Sequence, residues 1–322
     1  MSYLDAAKDF YRGAAITPDE GLCCTTSPIW ALPELVVPPR MLEMNYGCGS
    51  TVHPRDLTAS PTVVYVGVGG GLELLQFAYF CRRPRAVIGI EPVAEMREAA
   101  RANLAAAAKV NSWFREEYVD LREGDALSLP LPDSAADVTA QNCLFNIFRS
   151  GELRRALDEI HRVLRPHGRF VSSDPVAPCE LPVHLQNDDR LRAMCLSGSI
   201  TYERYIQTLV DVGFGTVEVR ARRPYRVLDP QRFGVERPLL LESIEVAAIK
   251  DPMPEDGACV FTGRSAIYYG ADDEFDDAKG HVLRRDTPMA VCDKTAAALE
   301  CRDNPDLLVT PSTWFYDGGG CC

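Results

Sequence analysis

Cysteine is the residue type in this sequence with the clearest capacity for chemistry. The chain of 322 residues contains 12 cysteines, and thiolates are ligands that soft ions prefer. No two of them are spaced as Cys-x-x-Cys, which argues against zinc ribbons and thioredoxin-like motifs. Their density is too low for a small disulfide scaffold. A lone cysteine is often a small buried hydrophobe, so neighbouring residues must decide which thiols are functional.

A glycine-rich segment predicts a site for an adenosine-containing cofactor. Gly67, Gly69 and Gly71 follow the apolar run 63–66 and precede a helical pattern. Glycine lets the backbone approach a ligand closely and adopt positive φ at low cost. Glu91 ends the next apolar run, 20 residues after Gly71, where a carboxylate can accept hydrogen bonds from both ribose hydroxyls. This pattern alone does not separate NAD from S-adenosylmethionine.

Two details favour S-adenosylmethionine. Leu72 stands where the dinucleotide fingerprint requires a third glycine. Downstream, Gly124-Asp125-Ala126 resembles a motif of the class I methyltransferases, whose aspartate contacts the adenine amine. Tyr65 departs from that family, in which many members carry an acid that faces the methionine amino group, so this contact is unassigned. The residues predicted to form the cofactor site are Gly67, Gly69, Gly71, Glu91, Asp125, Ala126 and Asn142.

Four cysteine-bearing segments resemble, in the same order, those of the arsenite methyltransferases. They are 22–26, 45–49 (the YGCG motif of that family), 141–147 (its NCVxN element) and 194–199 (its ECxGGA element). The tail, which ends in Cys321-Cys322, resembles that of the bacterial members associated with arsenosugar synthesis. The resemblance implies an S-adenosylmethionine-dependent enzyme that methylates arsenite.

The resemblance also implies the roles of particular cysteines. Cys143 and Cys195 match the pair that holds arsenic at the methyl-transfer position. Cys48 and Cys23 match the N-terminal cysteines that capture arsenic or form a transient disulfide. Cys24 is a rival to Cys23, and the sequence does not separate the two. The expected arsenic ligands are therefore Cys23, Cys48, Cys143 and Cys195.

Thiol ligands suit the chemistry of trivalent arsenic. Arsenic(III) is soft and thiophilic, and three thiolates bound in a pyramid leave its lone pair pointing outward. That lone pair can attack the sulfonium methyl group in line, with S-adenosylhomocysteine as leaving group. Positioning and lowered thiol pKa values would be the main contributions of the enzyme. Arsenite and methylarsenicals are the expected substrates, and glutathione or thioredoxin is the expected reductant.

A parallel α/β sheet is the scaffold expected to bring these residues together. From about residue 61 to 250, apolar runs of strand length alternate with helical patterns, which predicts the Rossmann-like sheet of a class I methyltransferase. Predicted strands are 63–66, 86–90, 138–144, 169–173, 216–221 and 243–249, and predicted helices are 93–110, 152–164 and 201–212. Residues 1–60 are predicted to be a cysteine-bearing leader, 61–250 the cofactor-binding domain, and 251–322 an accessory domain or tail.

Composition excludes several classes of partner. The net charge of −12 argues against a nucleic-acid substrate, because such proteins carry basic patches. No run of about 18 apolar residues predicts a membrane span, and the N-terminus does not look like a signal peptide. We therefore expect a cytoplasmic, monomeric enzyme.

Two other functions are compatible with the sequence. One is a methyltransferase for a small organic acceptor, such as a quinone, a sterol or a thiol, with incidental cysteines. The other is a non-catalytic, thiol-based arsenic or metal binder. The first predicts that arsenite leaves the thiols untouched, and the second predicts that the cofactor does not bind.

Overall fold

An eight-stranded sheet forms the centre of the molecule. The computed structural model describes residues 2–19, Leu22 and residues 31–314. In chain order the strands of this sheet are β1 (Val63–Val66), β2 (Val87–Glu91), β3 (Val119–Glu123), β4 (Ala136–Asn142), β5 (Leu164–Val176), β6 (Thr216–Leu228), β7 (Leu239–Ile249) and β8 (Cys259–Phe261). Their order is β3-β2-β1-β4-β5-β7-β6-β8, and β7 runs antiparallel to both of its neighbours. The α/β class I methyltransferase fold predicted from the sequence is confirmed.

Helices cover both faces of this sheet. In chain order they are α1 (Tyr3–Ile16), α2 (Pro39–Glu43), α3 (Leu72–Cys81), α4 (Ala94–Val110), α5 (Ser150–Val163), α6 (Val183–Gln186), α7 (Asp189–Ala193), α8 (Tyr202–Val212), α9 (Pro230–Phe233) and α10 (Asp293–Glu300). Alternate residues of β1 point to opposite faces. Val64 and Val66 therefore pack with α5 and α8, whereas Val63 and Tyr65 pack with α3 and α4.

The local sequence explains where helices α3 and α8 begin and end. Gly71 precedes α3 in the left-handed conformation, with φ of 86°, which glycine adopts without a Cβ penalty. Thr201 caps α8 by accepting a hydrogen bond from the Arg204 N–H, and Gly213 ends this helix with φ of 113°. These capping residues are typical helix signals, and the predicted boundaries of α8 are confirmed to within one residue.

Several strands differ in length from the prediction. β1 has the predicted bounds, but β4 ends at Asn142, so Cys143 follows the strand instead of belonging to it. β5 starts at Leu164 and continues to Val176, where a turn and an irregular segment were expected. Its C-terminal part extends because it pairs with β7 as far as the pair Val176–Glu242. This pairing satisfies the backbone hydrogen bonds of the strand.

The C-terminal part of the chain adds strands to this sheet and beside it. Strand β8 pairs in parallel with β6, with Cys259 opposite Thr216. The remaining strands are β9 (Ser265–Tyr268), β10 (Glu274–Asp276), β11 (Val282–Arg284), β12 (Met289–Ala290) and β13 (Leu307–Val309). They form a three-stranded sheet, β12-β9-β13, and a hairpin, β10-β11, which share a small apolar core with α10. Among the described helices, none combines the length and the apolar character needed to cross a bilayer.

Candidate functional site

A deep cleft lies where the parallel strands β1, β2 and β4 end. Its walls include the glycine turn after β1, Glu91 at the end of β2, and Asn142 and Cys143 at the end of β4. The cleft has a volume of about 1030 Å³, its open mouth included. Ligands of open α/β sheets bind at the carboxyl ends of the strands, which is where this cleft lies.

The glycine turn is shaped for close approach to a ligand. Gly67 and Gly69 have φ of 78° and 50°, in the left-handed region that side chains disfavour. Gly67, Gly69 and Gly70 line the cleft. Gly71, which was predicted as a contact, caps α3 and is not part of the wall. The backbone of the turn is thus held in a shape that leaves room for a cofactor.

Glu91 is a buried carboxylate at one end of the cleft. Its oxygens accept hydrogen bonds from the Val68 N–H at 3.1 Å and the Val93 N–H at 3.0 Å. Burial raises the pKa of Glu91 to about 7, against the lowering effect of these two bonds. Asp125 contributes to the same rise, so the two predicted cofactor acids lie near each other.

Asp125 and Ala126 complete this end of the cleft. Both residues line it, and Asp125 accepts a hydrogen bond from the Leu127 N–H at 3.0 Å. The other carboxylate oxygen lies 3.3 Å from the Lys8 ammonium of α1. The N-terminal helix therefore contacts a predicted cofactor residue directly.

Three of the four cysteines predicted as arsenic ligands lie together in a cluster that meets the cleft at Cys143. Cys48, Cys143 and Cys195 belong to one apolar cluster, in which they are 4%, 3% and 0% exposed. The Cys48 Sγ lies 3.4 Å from the Ser173 Oγ, and the Cys195 thiol donates a hydrogen bond to the Cys143 carbonyl oxygen. Cys143 lines the cleft itself.

The backbone at two of these cysteines is strained. Cys143 and Cys195 have φ of 60° and 58°, a left-handed conformation that costs a residue other than glycine about 1 kcal/mol or more. Cys143 is held there by a hydrogen bond from its N–H to the Ser173 carbonyl oxygen at 2.7 Å. Strain of this kind persists where the surroundings impose it, often at functional sites.

Asn142 links residues 45–49, which include Cys48, to the cofactor cleft. Its Oδ1 accepts a hydrogen bond from the Cys48 N–H at 3.0 Å, and its Nδ2 donates to the Gly49 carbonyl oxygen at 2.9 Å. A Cβ at Gly47 would lie 2.5 Å from the Asn142 Nδ2, so glycine is required there. The 45–49 segment and strand β4 are thereby locked together.

Some predicted residues fall elsewhere. Cys23 and Cys24, like Cys321 and Cys322, lie outside the described residues. Five further described cysteines lie outside both the cleft wall and the cluster: Cys81, Cys179, Cys259, Cys292 and Cys301.

Two parts of the cleft were missed by the sequence analysis. The first is α1, which contributes Leu4, Ala7, Lys8 and Tyr11 to the wall. The second is Glu73 in the first turn of α3. A signal for Glu73 was present, because it is the only charged residue in the helix Leu72–Cys81.

Comparison with known proteins agrees with this geometry. Residues 64–172 match the family model described as a methyltransferase domain. The chain is 30% identical to an arsenite methyltransferase of Halobacterium salinarum, over 55% of this chain and 43% of that protein. It is also 30% identical to an arsenite methyltransferase of Aquipseudomonas alcaligenes, over 64% of this chain and 60% of that protein. The chain thus spans less than two thirds of the length of these two relatives.

A solved structure resembles most of the molecule. It is the crystal structure of an arsenic(III) S-adenosylmethionine methyltransferase from Chlamydomonas reinhardtii, with a TM-score of 0.63 and 23% identity. The alignment covers 89% of this chain and 97% of that one. At this identity the likeness establishes the shared fold.

Proposed function

We propose that this protein, whose residues 64–172 form a methyltransferase domain, transfers methyl groups from S-adenosylmethionine to thiolate-bound trivalent arsenic. The observation that carries the proposal is the position of three thiols at one end of the cofactor cleft. Cys143 lies in the wall of the cleft, and Cys48 and Cys195 belong to the same apolar cluster. A methyl group that enters along the glycine turn would meet arsenic held by these three sulfurs.

The residues of the cleft fit the cofactor. Glu91 can accept hydrogen bonds from the ribose hydroxyls, and Asp125 can accept one from the adenine amine. Gly67 and Gly69 line the cleft without side chains, so the methionine part of the cofactor can lie along their backbone. When bound, S-adenosylmethionine supplies an electrophilic methyl group on a sulfonium.

Arsenic is the substrate, and the thiols hold it. Arsenite exchanges its hydroxyl groups for thiolates with release of water, and soft sulfur ligands favour this exchange. The apolar cluster around Cys48, Cys143 and Cys195 excludes water and fixes the direction of the lone pair. Positioning of this kind contributes most of the acceleration in a transfer that needs no general base.

Further parts of the proposal concern residues and partners beyond the cleft. Cys23 or Cys24 captures arsenite or closes a transient disulfide with Cys48, which returns to arsenic the two electrons that its lone pair gives to the new arsenic–carbon bond. Glutathione or thioredoxin then restores the thiols in the cytoplasm, where the enzyme acts as a monomer. The three-part division into 1–60, 61–250 and 251–322 belongs to the same proposal.

The test is incubation with arsenite, labelled S-adenosylmethionine and a thiol reductant, followed by arsenic speciation. We expect labelled methylarsenicals and one S-adenosylhomocysteine for each methyl group transferred. An enzyme for a small organic acceptor would leave arsenite unmethylated although the cofactor binds. A non-catalytic binder would retain arsenite and leave the cofactor unconsumed. Either result would contradict the proposal.

A further inference from the structure

Glu73 is a buried acid in the wall of the cleft, distinct from the acids assigned to adenosine. Its side chain lines the cleft, and the residue is only 6% exposed. One carboxylate oxygen accepts a hydrogen bond from the Thr51 N–H at 2.8 Å. The other accepts hydrogen bonds from the Thr51 hydroxyl at 3.0 Å, from the Asn142 amide at 3.3 Å and from the Tyr65 hydroxyl. Four neutral donors therefore hold this carboxylate in one orientation.

The charge of Glu73 lacks a counter-ion. All of its partners are neutral, and no lysine or arginine pairs with it within residues 2–19, 22 and 31–314. A buried carboxylate is costly unless a cation or several donors compensate it. Burial accordingly raises the pKa of Glu73, while the hydrogen bonds lower it. The site is arranged to keep a carboxylate in place and offers it no cation of its own.

The position of Glu73 identifies the cation that it would meet. Glu73 accepts a hydrogen bond from the Asn142 amide, which also accepts one from the Cys48 N–H and directly precedes Cys143 in the chain. Glu73 therefore lies at the thiol end of the cleft, away from the adenosine-binding acids Glu91 and Asp125. The methionine part of S-adenosylmethionine must lie at this end, because its methyl group has to reach arsenic. That part of the cofactor carries an ammonium group.

We propose that Glu73 binds the ammonium group of the methionine part of the cofactor, from the first turn of α3. Tyr65, in β1, stands where many class I methyltransferases carry an acid, and its hydroxyl donates a hydrogen bond to the carboxylate of Glu73. Asn142 links the same carboxylate to the Cys48 N–H. Glu73 thus connects cofactor recognition with the loop that bears an arsenic ligand. This inference rests on the proposed function, because the thiols that would hold arsenic set the direction of S-adenosylmethionine in the cleft.

The experiment compares ligands that differ at the amino group. Calorimetry measures the affinities of S-adenosylhomocysteine, its analogue with hydroxyl in place of amino, and 5′-methylthioadenosine, which lacks the amino-acid part. In the wild type we expect the hydroxyl analogue to bind about 10- to 100-fold more weakly than S-adenosylhomocysteine, the scale of a lost charge-assisted hydrogen bond. Glu73→Gln should weaken the binding of S-adenosylhomocysteine to the same extent. It should change the affinity for 5′-methylthioadenosine by less than about twofold.

A matched control separates the charge from the hydrogen-bond network. Tyr65→Phe removes one donor to the carboxylate and keeps its charge, so the preference for the amino ligand should persist. If Glu73→Gln does not fold, Glu73→Asp retracts the carboxylate by one methylene and should reduce the preference without affecting 5′-methylthioadenosine.

Three outcomes would contradict the inference. The first is equal binding of the amino and hydroxyl ligands by the wild type. The second is a parallel loss of all three ligands in the Glu73 variants, which would make Glu73 a structural residue. The third is an unchanged preference in those variants. Failure of the wild type to bind S-adenosylhomocysteine at all would instead contradict the proposed function.

Discussion

Cys143 and Cys195 combine two properties that ordinary buried cysteines lack. Both have left-handed backbone conformations, and the thiol of one donates a hydrogen bond to the carbonyl oxygen of the other. A cysteine that only fills space gains nothing from such strain. Both residues share one apolar cluster with Cys48, which is consistent with the proposed role as a pair of ligands for a soft atom.

We predict that Cys143→Ser and Cys195→Ser each abolish methylation of arsenite and leave cofactor binding intact. Hydroxyl oxygen is a hard donor that does not replace thiolate on arsenic(III), whereas Glu91 and Asp125 are untouched. Arsenic speciation and calorimetry with S-adenosylhomocysteine measure the two properties. Cys81→Ser is a suitable control, because Cys81 lies outside the cleft. Near-native turnover by either variant would remove that cysteine from the site.

Cys48 should matter chiefly in the first methylation. Arsenite can take three thiolates, whereas a monomethylated arsenic has two positions left for sulfur. If Cys143 and Cys195 are the permanent pair, Cys48→Ser should slow methylation of arsenite far more than that of methylarsonous acid. Parallel assays on both substrates measure the ratio. Equal loss on both would assign Cys48 another task, such as shaping the pocket.

Glu91 should make the stability of the ligand-free protein depend on pH. Its folded-state pKa, about 7, lies above the ordinary value of 4.5, so the folded state holds this proton more tightly than the unfolded state. The free energy of unfolding should therefore fall as pH rises from about 4.5 to 7, by up to about 3 kcal/mol from this residue. Glu91→Gln should flatten that decline in urea unfolding curves. If the free energy of unfolding fell equally steeply with pH in the variant, Glu91 would not be the source of this pH dependence.

Helix α1 is the element that closes the cleft. It contributes four residues to the wall, and its Tyr11 hydroxyl donates a hydrogen bond to the Ala193 carbonyl oxygen at the end of α7, at 3.0 Å. Lys8 pairs with Asp125 at 3.3 Å, but both side chains are about 40% exposed (42% and 37%). The hydrogen bond to α7 should therefore hold the helix more firmly than the ion pair does.

We predict that Tyr11→Phe speeds dissociation of S-adenosylhomocysteine about threefold to tenfold, the loss of one hydrogen bond of roughly 1 kcal/mol. Lys8→Ala should change this rate by less than about threefold, because exposed ion pairs contribute little. Stopped-flow displacement measures both rates. The reverse order of effects would mean that the ion pair, and not the contact with α7, holds α1 over the cleft.

The elements that could be predicted are those with strong local signals. Strand β1, the glycine turn and α8 follow from apolar runs, left-handed glycines and a Thr201–Gly213 cap pair. The extra length of β5 could not be predicted, because pairing with β7, which is distant in the sequence, determines it. The extra length of β6 and β7 comes from their pairing with each other. Strand length in such cases is a tertiary property.

The site was predictable to a similar degree. Motifs selected Glu91, Asp125 and Asn142, which line one cleft, and Cys48, Cys143 and Cys195, which share one cluster. The left-handed backbone at Cys143 and Cys195 carries no sequence signal, because cysteine is not a residue that favours that conformation. The contribution of α1 depends on how a remote helix folds over the cleft, which no local pattern encodes.

At the scale of the whole molecule, different parts of the cleft carry side chains of different chemical character. One part, where we propose that adenosine binds, carries the acids Glu91 and Asp125, and another carries Glu73 and Cys143, which belongs to the apolar thiol cluster. The parallel sheet produces this polarity, because β1, β2 and β4 end side by side and each delivers a different side chain. In the proposed function, this one site would hold S-adenosylmethionine and a soft acceptor in line.

The most direct test of this account is a single-turnover experiment. Protein loaded with one equivalent of arsenite is mixed with S-adenosylmethionine labelled in its methyl group, quenched at intervals and analysed for label on arsenic and on protein. The account predicts that the label appears on arsenic, at about one methyl for each bound arsenic, as S-adenosylhomocysteine forms. Label on a cysteine sulfur, or an unconsumed methyl donor, would contradict it.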